Sequence, residues 1–77
     1  MHIKVKYFGQ IAEVTKLEEE AIEFSGGLIS ELLDALYSKY PALKNKDFQV
    51  AQNQELVALE TKINGAEIAL LPPFAGG

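Results

Sequence analysis

The sequence predicts an α+β domain of two layers, in which a mixed β-sheet packs against one main helix. Several short segments show the alternation or the apolar density of strands. One segment, residues 29–40, carries an apolar stripe at helical spacing. A single amphipathic helix can bury such a stripe only against the apolar face of a sheet, so the order β-β-α-β-β-β predicts two layers.

The first strand is predicted at residues 2–8, where apolar and basic residues alternate. Its inward face would carry Ile3, Val5 and Tyr7. Phe8 falls on the opposite face with the lysines, where it is either covered by later structure or exposed. Gly9 ends the strand, and residues 10–14 could form a single helical turn with Ile11 and Val14 facing inward.

Residues 17–24 are predicted to form the second strand, with Ile22 and Phe24 on one face. Two strands joined by about nine residues suit an antiparallel pair with an elaborated connection. The run Glu18-Glu19-Glu20 is interpreted as a solvated face or a turn without a function.

The main helix is predicted from spacings of three and four between large apolar residues. These residues are Ile29, Leu32, Leu33, Leu36, Tyr37 and Tyr40. Ser25 or Gly27 is the expected N-cap, and Pro41 ends the helix because it steers Tyr40 out of the α region.

The second half of the chain is predicted to contain three short strands. A polar loop at 42–47 precedes a strand at 48–52, and a tight turn at Asn53-Gln54 leads to a short strand at 56–58. An irregular crossing and a turn at Asn64-Gly65 follow. The last strand is Glu67–Leu71; its apolar density on both sides indicates a central position, parallel to the first strand.

The composition excludes several functions. The 77 residues form one small domain with no cysteine, so disulfides and thiolate metal sites are excluded. The single histidine, His2, cannot supply a histidine cluster for a metal. A net charge of −4 argues against nucleic-acid binding. No apolar run approaches the roughly 20 residues of a membrane span, so we expect a cytoplasmic protein with no nucleic-acid and no membrane partner.

The body of the domain offers no plausible catalytic set. Nucleophilic catalysis needs a serine, cysteine or lysine beside a base in a cleft. Ser25, Ser30 and Ser38 fall on a turn and on the wet face of the helix, and Gly26-Gly27 lacks the lysine and the spacing of a phosphate loop. These patterns predict a small non-enzymatic domain.

The most informative segment follows the last strand. Adjacent Pro72 and Pro73 fix φ and lack N–H groups, so regular structure is predicted to stop at Leu71 and the chain to leave it extended and stiff. We therefore divide the chain into a domain, residues 1–71, and an extended tail, residues 72–77.

The tail ends in two glycines, Gly76 and Gly77, which can thread where any side chain would clash. From Phe74 onward the tail can reach about 13–14 Å, at ~3.3–3.6 Å per residue. That reach would carry the carboxylate of Gly77 off the domain and into the pocket of a partner.

The C-terminal segment resembles the small subunit of molybdopterin synthase. In that family a turn of the type Asp-Gly-Asp-Glu-Val-Ala leads into a hydrophobic pair, Pro-Pro, two variable residues and a terminal Gly-Gly. The corresponding residues here are Asn64-Gly65-Ala66-Glu67-Ile68-Ala69 and Leu70-Leu71-Pro72-Pro73-Phe74-Ala75-Gly76-Gly77. Residues 3–9, 29–33 and 50–55 are also similar, so the match covers nearly the whole chain.

The resemblance implies a β-grasp, ubiquitin-like fold in which the Gly77 carboxylate is the reacting group. A ubiquitin-activating-type (E1-like) adenylating enzyme would use ATP and magnesium to form the Gly77 acyl-adenylate, and a sulfur donor would convert it into a thiocarboxylate. The tail would then insert into the large synthase subunit, which holds the catalytic residues. Its sulfur would pass to cyclic pyranopterin monophosphate in molybdenum cofactor biosynthesis, and no cofactor would be bound permanently.

The resemblance also assigns roles to the tail. Gly76 would thread beside the reacting Gly77, and the two prolines would aim the tail. The residues expected to contact the partner are Phe74, Ala75, Pro72, Pro73 and Phe8. Ordinary sheet packing is an equally good interpretation of Phe8.

Three alternatives remain open at the level of sequence. The first is a β-grasp sulfur carrier for another pathway, such as thiamine, cysteine or tRNA thiolation; Pro72-Pro73 argues against a thiamine carrier, which usually lacks this pair. The second is a ubiquitin-like modifier whose Gly77 is conjugated to lysines. The third is a binding module whose tail takes part in no chemistry.

Overall fold

Five strands form one mixed sheet in the computed structural model, which describes residues 2–64 and 67–73. The strands are β1 (His2–Tyr7), β2 (Glu19–Glu23), β3 (Gln49–Gln52), β4 (Glu55–Leu56) and β5 (Glu67–Leu71). The helices are α1 (Gln10–Thr15) and α2 (Ile29–Lys39), and a 3-10 helix spans Pro41–Asn45.

The strands lie in the order β2-β1-β5-β3-β4. β1 and β2 are antiparallel, as predicted, and so are the pairs β3–β5 and β3–β4. β5 lies in the centre of the sheet and runs parallel to β1, which confirms the prediction made from its apolar density. The parallel pairing brings the C-terminal ends of β1 and β5 to the same edge of the sheet.

The core lies between one face of the sheet and α2. The predicted inward residues of β1 are at most 2% exposed, and the predicted helix stripe is buried at Ile29, Leu32, Leu33 and Leu36. Tyr37 pairs with the ring of Phe48 at the edge of this core, with ring centroids 6.5 Å apart. The fold is the two-layer α+β arrangement that the sequence patterns predict, and it is the ubiquitin-like β-grasp that the family resemblance implies.

The predicted N-cap of α2 and the predicted polar loop at 42–47 were wrong. The N-cap of α2 is Leu28, not Ser25 or Gly27: the Glu31 carboxylate accepts the Leu28 N–H at 2.7 Å and so replaces a polar cap side chain. The predicted polar loop at 42–47 is largely a 3-10 helix, because Leu43 is drawn into the core and is 0% exposed.

The observed strand limits differ from the predicted ones by one to two residues at several ends. β1 stops at Tyr7, β2 starts at Glu19, β3 starts at Gln49 and β4 occupies Glu55–Leu56 rather than 56–58. The tight turn at Asn53-Gln54 is confirmed, with positive φ at both residues (52° and 72°). In the predicted turn at Asn64-Gly65, Gly65 lies outside the described residues.

The interpretation of Glu18-Glu19-Glu20 as a solvated run was wrong at Glu20. Its side chain is only 12% exposed. The carboxylate accepts hydrogen bonds from the hydroxyls of Tyr7 and Tyr40, both at 2.6 Å, and pairs with Lys39 Nζ. Sequence periodicity could not reveal this cluster, because its members come from β1, β2 and the C-terminal end of α2 with its cap residue, Tyr40.

Candidate functional site

The candidate site lies where the chain leaves the sheet toward its C-terminus. β5 ends at Leu71, and Pro72 and Pro73 follow at once as exposed residues. The Phe8 N–H donates a 3.2 Å hydrogen bond to the Leu70 carbonyl, so the end of β1 is fixed beside the end of β5. The tail therefore starts from a defined point next to Phe8.

The sheet face turned away from α2 carries an apolar surface at this point. We call Phe8, Ala51, Leu56, Ala69 and Leu71 the outer-face patch. Strand pairing sets Ala69 beside Ala51, and Ala51 beside Leu56, in one row across the sheet. Because the two alanines are small, the larger side chains around them enclose a shallow concavity of about 380 Å³.

Two large side chains of the patch are exposed, around the buried Ala51. Phe8 is 44% exposed and Leu56 is 56% exposed, and the structure places no second layer of the described residues over this face. Contiguous exposed apolar surface with a polar rim marks interaction sites in soluble proteins. We interpret the patch as a protein-binding surface.

An ion pair forms the polar rim of the concavity. Lys6 Nζ lies 2.9 Å from Glu67 Oε2, and both side chains are about one-third exposed (35% and 37%). The hydrogen bond from Lys6 and its charge lower the pKa of Glu67, and the same bond raises the pKa of Lys6. Both groups therefore stay charged at neutral pH, and they limit the apolar surface on the side away from the tail.

A second concavity of about 460 Å³ lies at the other side of β4, between α2 and residues 56–59. Leu33, Tyr37 and Phe48 line it, and Leu56 lines both concavities. It contains neither Phe8 nor Leu71. We therefore place the candidate site at the outer-face patch, which adjoins the start of the tail.

The predicted site residues fall into two groups. Phe8 lines the outer-face patch, and Pro72 and Pro73 lie at the start of the tail, so these three are brought together at one edge of the sheet. The remaining predictions, Phe74, Ala75, Gly76 and Gly77, lie outside the described residues. Their roles stay predictions.

Sequence reasoning missed the rest of the patch. Ala51, Leu56, Ala69 and Leu71 line it and were not singled out. The signal was present in β5, which is apolar on both sides. In a two-layer fold one of those sides has no helix to cover it, so the outward residues Ala69 and Leu71 could have been recognised as a binding surface.

The described part of the chain offers little for metal chemistry or membrane insertion. Within residues 2–64 and 67–73, no three His, Cys, Asp or Glu side chains are grouped so that they could hold a metal ion. Over the same ranges, neither α1 nor α2 has the length and apolar character needed to cross a bilayer. What the patch provides is apolar contact bordered by one ion pair.

Fold and site together define a ubiquitin-like β-grasp protein with an apolar face at the root of its C-terminal tail. The chain belongs to the ThiS family, whose model matches residues 5–77.

Three relatives are similar to this protein over at least 94% of the chain. The molybdopterin synthase sulfur carrier subunit of Chlamydomonas reinhardtii is 37% identical, with 100% of both chains covered. The subunit of the same name from Mycobacterium tuberculosis is 35% identical, over 97% of this chain and 96% of the relative. Small archaeal modifier protein 1 of Haloferax volcanii is 33% identical, over 94% of this chain and 97% of the relative.

Solved structures agree with the fold. SAMP1 from Haloferax volcanii is 28% identical and has a TM-score of 0.81, with 100% of both chains covered. A Pyrococcus furiosus chain has a TM-score of 0.87 at 22% identity, over 96% of this chain and 99% of the other, which shows the fold alone. A chain from the complex of subunits 1 and 2 of the molybdopterin-converting factor of Helicobacter pylori is 32% identical with a TM-score of 0.69, covering 100% of both chains.

Proposed function

We propose that this protein is the sulfur-carrier subunit of a molybdopterin synthase. Its Gly77 carboxylate would be converted into a thiocarboxylate and donate the sulfur to cyclic pyranopterin monophosphate. The full-length similarity to two sulfur carrier subunits supports this proposal. The structural observation that carries it is the outer-face patch at the root of the tail, since a carrier must be held by its partners while its C-terminus reacts.

The Gly77 carboxylate must be activated by a partner enzyme before it can take up sulfur. A carboxylate is a poor electrophile. On the adenylating enzyme, with magnesium, the Gly77 carboxylate oxygen would therefore attack the α-phosphorus of ATP, forming the acyl-adenylate and releasing pyrophosphate. A hydrosulfide ion would then attack the acyl carbon and displace AMP, which gives the thiocarboxylate directly. A donor persulfide would instead give an acyl disulfide, from which a second thiol would release the thiocarboxylate by forming a disulfide with the donor. The thiocarboxylate formed this way is anionic at neutral pH and a better nucleophile than the carboxylate it replaces. After its sulfur attacks the pterin, water would hydrolyse the resulting thioester, which leaves the sulfur on the pterin and restores the Gly77 carboxylate.

The large synthase subunit is the proposed acceptor of the tail. The Helicobacter pylori chain of similar fold was solved in a complex of subunits 1 and 2 of its molybdopterin-converting factor, which supports a partner of that kind here. We propose that Phe8, Leu56 and Leu71 pack against the large subunit. Gly76 and Gly77 would enter its active site, while Pro72 and Pro73 keep the tail away from the domain.

The test is a reconstituted synthesis. The thiocarboxylated protein is mixed with the large subunit and cyclic pyranopterin monophosphate, and dithiolene formation is followed together with the return of Gly77 to a carboxylate. Product formation that stops when Gly77 is removed supports the proposal. A thiocarboxylate that persists in the presence of an active large subunit, and is consumed by another sulfur acceptor, would assign the carrier to a different pathway.

A second candidate function is protein modification. The similarity to small archaeal modifier protein 1 favours it, and the same patch and tail would serve an activating enzyme in either role. In that case Gly77 would form an isopeptide bond with lysines of other proteins. Peptide mass spectrometry of cell extracts for lysines that carry the C-terminal residues of this chain distinguishes the two functions.

A further inference from the structure

Gly9 occupies a backbone conformation that admits almost no other residue. Its φ is 58° and its ψ is −133°, a combination that glycine adopts freely and that strains residues with a Cβ. A Cβ added at Gly9 would also lie 2.8 Å from Cγ of Pro72. The first residue of the tail is therefore packed directly against the Cα of Gly9.

Gly9 is itself held firmly from both sides. The preceding residue, Phe8, donates its N–H to the Leu70 carbonyl at 3.2 Å and so remains attached to β5. The Gly9 carbonyl accepts the N–H of Ala12 at 3.1 Å in the first turn of α1, and Ile11 anchors that turn in the core at 1% exposure. The backbone at Gly9 is therefore fixed in position, and Pro72 packs against it.

The contact has a consequence for the direction of the tail. The ring of Pro72 restricts φ, and Pro73 restricts the conformation of Pro72 further, so the dipeptide transmits orientation along the chain. A stiff pair that rests on a fixed surface leaves the domain in one direction. A side chain at position 9 would push the ring away and change that direction.

We infer that Gly9 is a positioning residue for the tail: its missing side chain seats Pro72, and the seated Pro72 aims the reacting C-terminus at the active site of the partner. This inference rests on the proposed function for its catalytic readout. The seat itself, however, can be measured without any partner.

The kinetic test uses four variants: Gly9→Ala, Pro72→Ala, the double variant, and Gly26→Ala as the control. Gly26 also has a positive φ (95°), but an added Cβ there meets no atom within 4 Å. Gly26→Ala therefore strains the backbone at a positive φ but causes no collision. The rate of thiocarboxylation by the adenylating enzyme and a sulfide source is measured against carrier concentration, under conditions where circular dichroism shows every variant folded.

The expected result is a split between kcat and KM. Misdirection of the tail should lower kcat about tenfold in Gly9→Ala and in Pro72→Ala, with KM changed less than about twofold because the outer-face patch is intact. The double variant should lose no more than either single variant, since both remove one shared contact. The urea unfolding midpoint of the double variant should also lie above that of Gly9→Ala, because alanine at position 72 has no Cγ to collide with the new Cβ at position 9. Gly26→Ala should keep the wild-type kcat.

A merely structural role gives a different result. A partly unfolded carrier lowers the concentration of usable substrate, which raises the apparent KM and leaves kcat unchanged. That outcome for Gly9→Ala, or additive losses of kcat in the double variant, would overturn the inference.

The second measurement is independent of the proposed function. Because the chain has no cysteine, spin labels can be placed through Ala75→Cys and through Ser38→Cys on the exposed side of α2. We expect Gly9→Ala to shift or broaden the distribution of distances between the labels, and Gly26→Ala to leave it unchanged. The inference would be overturned if the distance distribution of the Gly9→Ala variant superposed on that of the labelled protein with Gly9. This holds even if the wild-type protein gains no sulfur, because the measurement needs no partner.

Discussion

The hydroxyl of Tyr7 donates a 2.6 Å hydrogen bond to the carboxylate of Glu20. The same carboxylate also receives the Tyr40 hydroxyl at 2.6 Å and the ammonium of Lys39. The rings of Tyr7 and Tyr40 meet edge to face, with centroids 6.2 Å apart. This cluster joins β1, β2 and the end of α2, so it connects both layers of the fold near the end of β1 that precedes Phe8.

Removal of the carboxylate should destabilise the domain. Tyr7 is 2% exposed. Glu20→Ala leaves the buried Tyr7 hydroxyl without a hydrogen-bond acceptor, which should lower the free energy of unfolding by about 1–3 kcal/mol. The control is Glu19→Ala, which removes an exposed residue whose pair with Lys4 spans 3.7 Å; such a pair contributes at most about 1 kcal/mol. Urea denaturation checks both values, and equal losses would contradict the assigned role of Glu20.

The cluster also predicts an acid dependence of stability. Burial acts to raise the pKa of Glu20, but the hydrogen bonds from Lys39, Tyr40 and Tyr7 outweigh it and hold this pKa below its ordinary value of 4.5. A lowered pKa in the folded state means that the stabilisation is complete above the unfolded value and is lost as the pH falls through the folded one.

Glu20→Gln should therefore lose less stability than the wild type as the pH falls below about 4.5, the unfolded value. Urea denaturation across the acid range measures the two slopes. Parallel slopes would show that Glu20 titrates alike in the folded and unfolded states.

At alkaline pH the same cluster acts through Tyr7. Burial, and then the hydrogen bond to Glu20, raise the pKa of Tyr7 above its ordinary value of 10.0. A raised pKa means that the stabilisation is complete below the unfolded value and is lost as the pH rises above it. Tyr7→Phe should be less stable than the wild type by about 1 kcal/mol at neutral pH and should decline less steeply above about pH 10. An unchanged alkaline decline, measured by denaturation, would contradict this account.

Sequence periodicity predicted most of the fold, because alternation and helical spacing are local properties. It did not predict that the side chain of Glu20 points inward, because the carboxylate accepts its hydrogen bonds from two tyrosines and a lysine in other elements. It missed Leu43 for a similar reason: the residue belongs to no periodic segment, and only the packing of the 3-10 helix places it in the core.

The candidate site was predicted in part. Gly-Gly, Pro-Pro and Phe8 could be singled out because they are local motifs or local exceptions. The other members of the outer-face patch depend on strand register, which aligns Ala51 with both Ala69 and Leu56. Register across strands that are distant in sequence is set by tertiary packing, and no single segment encodes it.

Partner binding should depend on the outer-face patch. Leu56→Ser should weaken binding to the large subunit or to the adenylating enzyme about tenfold or more, as expected for an exposed apolar residue that becomes buried at the centre of an interface. Leu17→Ser is a matched control, since Leu17 is 41% exposed and does not line the patch. Isothermal titration calorimetry measures both affinities, and equal affinities for the two variants would place the binding surface elsewhere.

Filling the concavity with a large side chain, by the substitution Ala69→Phe at its floor, is a complementary test. Ala69→Phe should fill much of the space of about 380 Å³ between Phe8, Leu56 and Leu71 and exclude a partner side chain. We expect an unchanged fold, seen by circular dichroism, with partner affinity reduced at least tenfold, or about 1.4 kcal/mol. Wild-type affinity in this variant would show that the partner does not enter the concavity.

The most direct test of the central claim is the intact mass of the protein after incubation with ATP, magnesium, an adenylating enzyme from its host and a sulfide source. We predict a gain that corresponds to one oxygen replaced by one sulfur, absent from a variant without Gly77 and from a variant extended by one residue after Gly77. An unchanged mass, in an assay where a known carrier reacts, would contradict the sulfur-carrier account and leave protein modification or simple binding as the role of the tail.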